Sequence, residues 1–153
     1  MDKNNSNIVL LGSGCFWHPE MIFHRTDGVI GTKVGYAGGN TENPTYAEVC
    51  SGQTGHAEVV KVEFDPDIID FSKLLDIFWD IHDPTQINRQ GVDVGTQYRS
   101  CIFTDYEPYI EIAKNAIETL DRSKRYNNPI STILYENLTF FEAENYHQKY
   151  LFR

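Results

Sequence analysis

The chain has 153 residues, a length that favours one domain with a proper core, and we expect residues 1–153 to form a single domain. Apolar residues make up 41% of the sequence and aromatic residues 13%, which is typical of a compact globular protein and excludes a disordered one. The formal net charge of −9 disfavours nucleic acid and membranes as partners, because a negative surface repels phosphate groups.

The first half of the chain is predicted to alternate between strands and helices. Residues 8–12 form a buried strand, 16–25 a short helix and 29–36 a second strand. One helical turn is predicted at 46–50. Apolar residues alternate with charged ones over 60–64, which predicts a third, half-buried strand.

The second half begins with a helix whose apolar face spans residues 74–81, with Ser72 as its candidate cap. A long polar loop follows over 82–97, and long loops in small domains more often carry function than serve only as connections. The remaining predicted elements are a strand at 98–103, a helix that starts near Pro108, a strand at 133–135, an extended piece at 139–141 and a helix at 143–151.

This order of elements contains two strand–helix–strand units followed by extra elements. Two such units pack naturally as one sheet with helices on one face. The sequence therefore predicts an α+β fold, a ferredoxin-like two-layer sandwich with a mixed or antiparallel sheet and additional C-terminal elements.

The chain start and the cysteines bear on location and metal binding. A polar stretch over 1–7 leads into a short aliphatic run, which is neither an export signal nor a membrane span. Cys15, Cys50 and Cys101 form an odd set with no CxxC or CxxH spacing. A disulfide framework and a metal site are not indicated, and we expect a cytoplasmic protein with no bound metal.

Cys15 is the candidate nucleophile, because it lies between the first predicted strand and the first predicted helix. The N-terminus of a helix carries unpaired N–H groups and partial positive charge, which stabilise a thiolate. We therefore expect a reactive thiolate at Cys15, with Phe16 and Trp17 forming an apolar wall beside it. Cys50 and Cys101 are interpreted as small buried hydrophobic residues.

Four other residues are candidates for the same site. We expect Glu58 at the edge of the sheet near apolar side chains, where burial raises the pKa of a carboxyl and makes it a proton donor. The alternative is a solvated glutamate at the start of a strand. Tyr46 and Tyr98 lie in turns where a hydroxyl can face a cavity, although core tyrosines are more often packing residues. Asp93 is, by itself, a turn residue.

The residues alone leave two further functions open. His56 and His147 allow a cysteine hydrolase or acyl transferase that uses Cys15, although no known protease signature surrounds them. A module that binds methionine-bearing peptides through its aromatic residues, without catalysis, is the third reading. Replacing Cys15 with Ser separates these readings, because the binding module would keep its affinity whereas an enzyme would lose turnover.

Taken together, seven segments in chain order closely resemble the peptide methionine sulfoxide reductase A family, whose members reduce the S epimer of methionine sulfoxide. The resemblance covers about residues 8–151, nearly the whole domain. The segments are GCFW at 14–17, GYAGG at 35–39, NPTY at 43–46, TGHAE at 54–58, HDPTQ at 82–86, RQGVDVGTQYRS at 89–100 and AENYHQKYL at 143–151.

The resemblance implies an enzyme that repairs free or protein-bound methionine sulfoxide. Cys15 would attack the sulfoxide sulfur and become a sulfenic acid, and Phe16 and Trp17 would line a pocket for the substrate's methyl group. The matching positions for binding the sulfoxide oxygen are Glu58, Tyr46 and Tyr98, with Glu58 as the proton donor and Asp93 in support. The resemblance implies no metal and no flavin.

The sequence departs from the family pattern in its cysteines. Many members carry a glycine-rich C-terminal tail with resolving cysteines, whereas this sequence has no cysteine beyond Cys101. We therefore expect an external thiol to reduce Cys15, with glutathione and glutaredoxin favoured and thioredoxin as the second candidate. An internal disulfide to Cys50 or Cys101 is the rival. We expect a monomer, because a small open site needs no partner chain.

Overall fold

The computed structural model describes residues 7–152 and contains a six-stranded mixed sheet and a separate two-stranded hairpin. Among the described residues, no helix has the length and apolar character that crossing a membrane requires. The strands are β1 (Ile8–Ser13), β2 (Val29–Ala37), β3 (Ala57–Phe64), β4 (Arg89–Gln90), β5 (Asp93–Val94), β6 (Ser100–Phe103), β7 (Ile133–Tyr135) and β8 (Phe141–Glu142). The helices are α1 (Trp17–His24), α2 (Tyr46–Cys50), α3 (Phe71–Asp80) and α4 (Glu107–Arg122), with 3-10 turns at Thr96–Tyr98, Asn145–His147 and Tyr150–Phe152.

The strand order of the large sheet is β7-β6-β1-β3-β2-β8. Its four inner strands come from the two predicted strand–helix–strand units, which interleave so that β3 lies between β1 and β2. These inner pairs are antiparallel, and β7 adds to β6 in parallel. The predicted α+β, ferredoxin-like sandwich with additional C-terminal strands is therefore confirmed.

The alternation along β3 divides the core into two layers. Val60, Val62 and Phe64 are fully buried in the larger cluster, which includes the apolar residues of α3 and α4. Val59 points to the other face of the sheet, where it joins a smaller cluster that contains Cys101. The cysteines near this sheet therefore differ in access to solvent, because Cys101 is fully buried whereas Cys15 is only partly buried.

The start of α3 differs from the sequence prediction. Its N-cap is Asp70, whose carboxylate accepts a hydrogen bond of 2.9 Å from the Lys73 N–H. Ser72 lies inside the helix, so its assignment as the cap was wrong. Asp and Ser cap helices about equally well, so only the position at which the chain turns decides between them.

The helix predicted over 143–151 was wrong, because this segment contains two short 3-10 turns instead. Lys149 has a positive φ of 52°, which ends any continuous helix at that point. Its N–H donates to Glu20 Oε1 and its ammonium donates to Glu20 Oε2, each at 2.8 Å. The side chain of Gln148 also bonds both backbone groups of Val34 in β2. These tertiary hydrogen bonds outweigh the local helical pattern.

Replacing Glu20 with Ala is expected to destabilise the fold by about 2–3 kcal/mol, because the buried carboxylate is the partner of Lys149. A Glu142→Ala variant is the matched control, since Glu142 pairs with Lys33 at 3.0 Å through two exposed side chains. Such exposed pairs contribute about 0.5 kcal/mol. Urea denaturation measures both free energies of unfolding, and equal losses would contradict the prediction.

Candidate active site

Cys15 lies in the turn between β1 and α1, as the sequence predicts, and its side chain is partly buried. The turn depends on Gly14, which has a φ of +96° that residues with a side chain rarely adopt. A Cβ on Gly14 would also lie 2.9 Å from the side chain of Gln90. The β4–β5 hairpin therefore packs directly against the turn that carries the sulfur.

The expected thiolate at Cys15 is not borne out in the free site. Burial raises the pKa of Cys15 to about 11, and the negative charges of Glu58 and Asp93 act in the same direction. The backbone N–H of Trp17 hydrogen-bonds the sulfur and lowers its pKa, which is the expected effect of the helix start. Desolvation is the larger effect, so Cys15 rests as a thiol.

Glu58 is the second residue of β3 and is 1% exposed, so the alternative of a solvated glutamate is wrong. The expected place at the sheet's edge is also wrong, because β3 lies between β1 and β2. Its Oε1 accepts a hydrogen bond of 3.3 Å from the Phe16 N–H, whereas its Oε2 has no hydrogen-bond partner among the described residues. Burial raises the pKa of Glu58 to about 8, aided by the charge of Asp93.

Tyr46 is brought to the same site by α2. Thr45 and Glu48 form a reciprocal capping box, which explains how a helix of only five residues forms here. The Tyr46 N–H donates to Glu144 Oε2 at 2.9 Å. Burial raises the pKa of Tyr46, so its hydroxyl remains a hydrogen-bond donor at neutral pH.

Asp93 and Tyr98 come from the predicted loop, which forms the β4–β5 hairpin and the 3-10 turn after it. Burial raises the pKa of Tyr98 to about 12, and the charges of Glu58, Asp93 and Cys15 add to the effect. The 3-10 turn that carries Tyr98 packs against β3, which carries Glu58, and the charges of Glu58, Asp93 and Cys15 all act on Tyr98, so these four residues lie in one site.

An aromatic cluster around His147 lies beside this site, because Phe16, the neighbour of Cys15, belongs to it. The Trp17 indole N–H donates to His147 Nδ1 at 3.2 Å, and the Trp17 ring stacks on Tyr150 with centroids 3.9 Å apart. Phe16 and Tyr46 contact the His147 ring at centroid distances of 5.4 Å and 4.4 Å. The apolar wall predicted from Phe16 and Trp17 is present, and it is larger than these two residues.

Comparison with known proteins identifies the family. The profile of the family described as peptide methionine sulfoxide reductase matches residues 7–153. The chain belongs to this family. A relative from Methanothermobacter thermautotrophicus, named peptide methionine sulfoxide reductase MsrA, is 54% identical over 140 residues, which are 92% of this chain and 83% of the relative.

Solved structures agree with this assignment. The reduced form of Mxr1 from Saccharomyces cerevisiae has a TM-score of 0.89 and 35% identity, over 98% of this chain and 86% of that one. Mxr1 in complex with Trx2 has a TM-score of 0.66 and 25% identity, over 97% and 87% of the two chains. This reductase is therefore an oxidoreductase that acts on methionine sulfoxide.

Sequence reasoning assigned no role to Tyr36 and Glu144 of the reductase. The Tyr36 hydroxyl donates to Glu144 Oε1 at 3.0 Å, and Tyr36 lies opposite Glu58 in the register of β2 and β3. Glu144 therefore joins Tyr36 to Tyr46 behind the site. Both residues fall within the segments that carry the family resemblance, which was the available signal, but their roles depend on contacts about 100 residues apart in sequence.

The histidines do not favour a cysteine hydrolase. His56 is buried in a loop, where its Nδ1 accepts from the Gly39 N–H at 3.0 Å and its Nε2 lies 2.6 Å from the Thr41 carbonyl. The Nδ1 of His147 accepts a hydrogen bond from the Trp17 indole N–H. Within residues 7–152, the structure contains no group of three or more His, Cys, Asp and Glu side chains that could hold a metal ion.

Proposed function

We propose that this reductase acts on the S epimer of methionine sulfoxide, with Cys15 as the nucleophile and Glu58 as the proton donor. The observation that carries the proposal is the buried Glu58 carboxyl. Its pKa of about 8 keeps it protonated at neutral pH, and its Oε2 has no partner among the described residues. A protonated carboxyl beside a thiol suits a reaction in which a poor leaving oxygen must gain a proton.

Binding of the sulfoxide is proposed to use two kinds of contact. The hydroxyls of Tyr46 and Tyr98 stay protonated, because their pKa values are raised, and they can donate hydrogen bonds to the sulfoxide oxygen. Phe16 and Trp17 supply apolar surface for the methyl group. Asp93 supports the site by raising the pKa of Glu58. This arrangement fixes the position of the oxygen relative to the methyl group, which is what epimer selection requires.

The proposed redox step transfers the sulfoxide oxygen to Cys15. The Cys15 sulfur attacks the sulfoxide sulfur and forms an S–S bond, and Glu58 protonates the oxygen. The S–O bond of the substrate then breaks, the oxygen forms a new bond to the Cys15 sulfur, and the S–S bond breaks with its electron pair going to methionine. Methionine has gained two electrons, and Cys15 has lost two and holds the oxygen as a sulfenic acid. The proton released by the thiol restores Glu58 to its acid form, so that the site is neutral again.

A thiol reductant must return the sulfenic acid of Cys15 to a thiol. The solved complex of Mxr1 with Trx2, a thioredoxin, supports a dithiol protein of that class for this chain. Glutathione with glutaredoxin, the favoured expectation from sequence, stays a prediction. We also propose a monomeric, cytoplasmic enzyme, since every site residue named above comes from one chain and the three cysteines are free.

The decisive assay supplies each sulfoxide epimer separately with dithiothreitol as the reductant and measures methionine formed. We expect the S epimer to be consumed and the R epimer to remain. Consumption of the R epimer alone, or of neither, would refute the proposed function. Ester or amide turnover without any reductant would instead support the hydrolase.

A further inference from the structure

We propose that Glu144 is a positioning residue of this reductase, and that it holds Tyr46 where the tyrosine hydroxyl can donate to the sulfoxide oxygen. Glu144 was not among the candidate residues of the sequence, and in this role it acts through Tyr46 instead of on the substrate. The inference rests on the proposed function, because that function makes Tyr46 a ligand of the oxygen.

Glu144 binds two tyrosines, one with each carboxylate oxygen. The Tyr36 hydroxyl donates to Oε1 at 3.0 Å, and the Tyr46 N–H donates to Oε2 at 2.9 Å. Burial raises the pKa of Glu144, but the hydrogen bonds from Tyr46 and Tyr36 outweigh burial and hold the pKa below its ordinary value. The carboxylate is therefore ionised at neutral pH, and it accepts stronger hydrogen bonds than a neutral group would.

The hydrogen bond from the Tyr46 N–H fixes the start of α2. Tyr46 is the first residue of this short helix, and the first N–H groups of a helix have no partner within it. The capping box forms between neighbouring residues, so it shapes the helix without attaching it to the sheet. At the other end Val49 is buried in the core, whereas Cys50 is exposed, so the expected burial of Cys50 was wrong. Glu144 and Val49 thus hold the two ends of α2.

The position of Glu144 is itself fixed by β2. The N–H of Ala143 donates to the Val34 carbonyl at 3.0 Å, and the Gln148 side chain bonds both backbone groups of Val34. Tyr36, the second tyrosine that Glu144 binds, belongs to the same strand and is fully buried. Glu144 therefore connects α2 to the large sheet.

The turn that begins at Glu144 also holds the apolar wall. Glu144 is the N-cap of the 3-10 turn Asn145–His147, and its carbonyl accepts from the His147 N–H at 3.0 Å. The His147 ring contacts the Tyr46 ring at a centroid distance of 4.4 Å, and its Nδ1 accepts from the Trp17 indole N–H at 3.2 Å. One turn therefore sets where Tyr46 lies relative to Trp17. The oxygen and the methyl group of the substrate are bonded to the same sulfur, so the groups that bind them must keep a fixed separation.

A double-mutant cycle on kcat/KM for S-methionine sulfoxide, with dithiothreitol as reductant, tests the role of Glu144. Glu144→Leu keeps apolar bulk but has no oxygen to accept the two hydrogen bonds. We expect it to lower kcat/KM by about tenfold, and Tyr46→Phe to lower it by about tenfold or more. Adding Glu144→Leu to Tyr46→Phe should cost less than about twofold, because the hydroxyl that Glu144 positions is already gone.

A loss of equal size in both backgrounds would mean that Glu144 serves the fold in general, and it would overturn the proposal. An unchanged kcat/KM in Tyr46→Phe would overturn it as well. Glu142→Gln is the matched control, because Glu142 pairs with Lys33 through two exposed side chains. We expect this control to keep full kcat/KM.

Hydrogen exchange of the Tyr46 amide measures its bond to Glu144 without any substrate. Because the first N–H of a helix has no partner within it, protection of this amide reports on Glu144 Oε2. We expect exchange to become about tenfold faster in Glu144→Leu. In Glu144→Gln it should become about threefold faster, since the amide oxygen still accepts but carries no charge. The Glu142→Gln control should exchange at the original rate.

Glu144→Gln keeps its shape and an acceptor for Tyr46, so it decides the question if the Leu variant does not fold. Unchanged exchange of the Tyr46 amide in every folded Glu144 variant would overturn the proposal, whatever the activity. Faster exchange, in a protein whose unmodified form leaves the S epimer untouched, would support the bond between Glu144 and Tyr46 and refute the proposed function.

Discussion

Replacing Cys15 with Ser is expected to lower methionine formation by about ten-thousandfold or more, since a single nucleophile carries the whole reaction. The hydroxyl of Ser fills nearly the same volume, so the turn between β1 and α1 should be kept. It cannot hold the transferred oxygen as a sulfenic acid, because that chemistry belongs to sulfur. Methionine release over the first turnover measures the effect without any contribution from recycling.

The control for this variant is Cys101→Ala, which removes a thiol on the other face of the sheet. We expect its first-turnover methionine release to equal that of the unmodified protein, with stability lowered by about 1 kcal/mol for the lost packing. Substantial methionine release by the Cys15→Ser variant would mean that the nucleophile lies elsewhere in the chain.

Replacing Glu58 with Gln is expected to lower kcat/KM by about a hundredfold to a thousandfold, which is the range for loss of a general acid. Gln has nearly the same shape and can still accept the hydrogen bond from the Phe16 N–H. It has no acidic proton for the sulfoxide oxygen. A Glu63→Gln variant on the same strand is the control, and we expect it to keep full activity.

The pH profile separates the acid role of Glu58 from a purely structural one. With pKa values of about 11 for Cys15 and about 8 for Glu58, the thiolate population and the kcat/KM of the unmodified protein rise up to pH 8. Above pH 8 the profile should level off, because each gain of thiolate is matched by loss of the Glu58 proton. In the Glu58→Gln variant the rise should continue above pH 8. A plateau at pH 8 in that variant would contradict the assignment.

The parts of the site that could be predicted from the sequence are those set by local pattern. The turn that carries Cys15 and the strand that carries Glu58 follow from glycines and from apolar alternation over a few residues. The depth of burial does not follow, and so the raised pKa of Cys15 was missed. The burial of the Cys15 sulfur depends on the β4–β5 hairpin, which packs against Gly14 although the two segments are far apart in sequence.

The structure of the C-terminal segment also could not be predicted from local sequence pattern. Its apolar spacing favours a helix, but Lys149 bonds to Glu20, 129 residues away, and takes a left-handed backbone conformation. The exposure of Cys50 was likewise missed, because a cysteine that ends a short helix is equally compatible with a buried or an open position. For Lys149 and for the turn that carries Cys15, contacts between residues far apart in sequence decided the outcome.

The buried carboxyl of Glu58 also affects how firmly the protein stays folded. Its pKa is about 8 in the folded chain, against an ordinary value of 4.5. Below pH 4.5 both the folded and the unfolded chain hold the proton, and the side chain has no effect on folding by this route. Between pH 4.5 and about 8 only the unfolded chain releases it, so the free energy of unfolding declines with rising pH and stays lower above that window. At neutral pH, the same buried carboxyl that can donate a proton therefore lowers the resistance of the protein to unfolding.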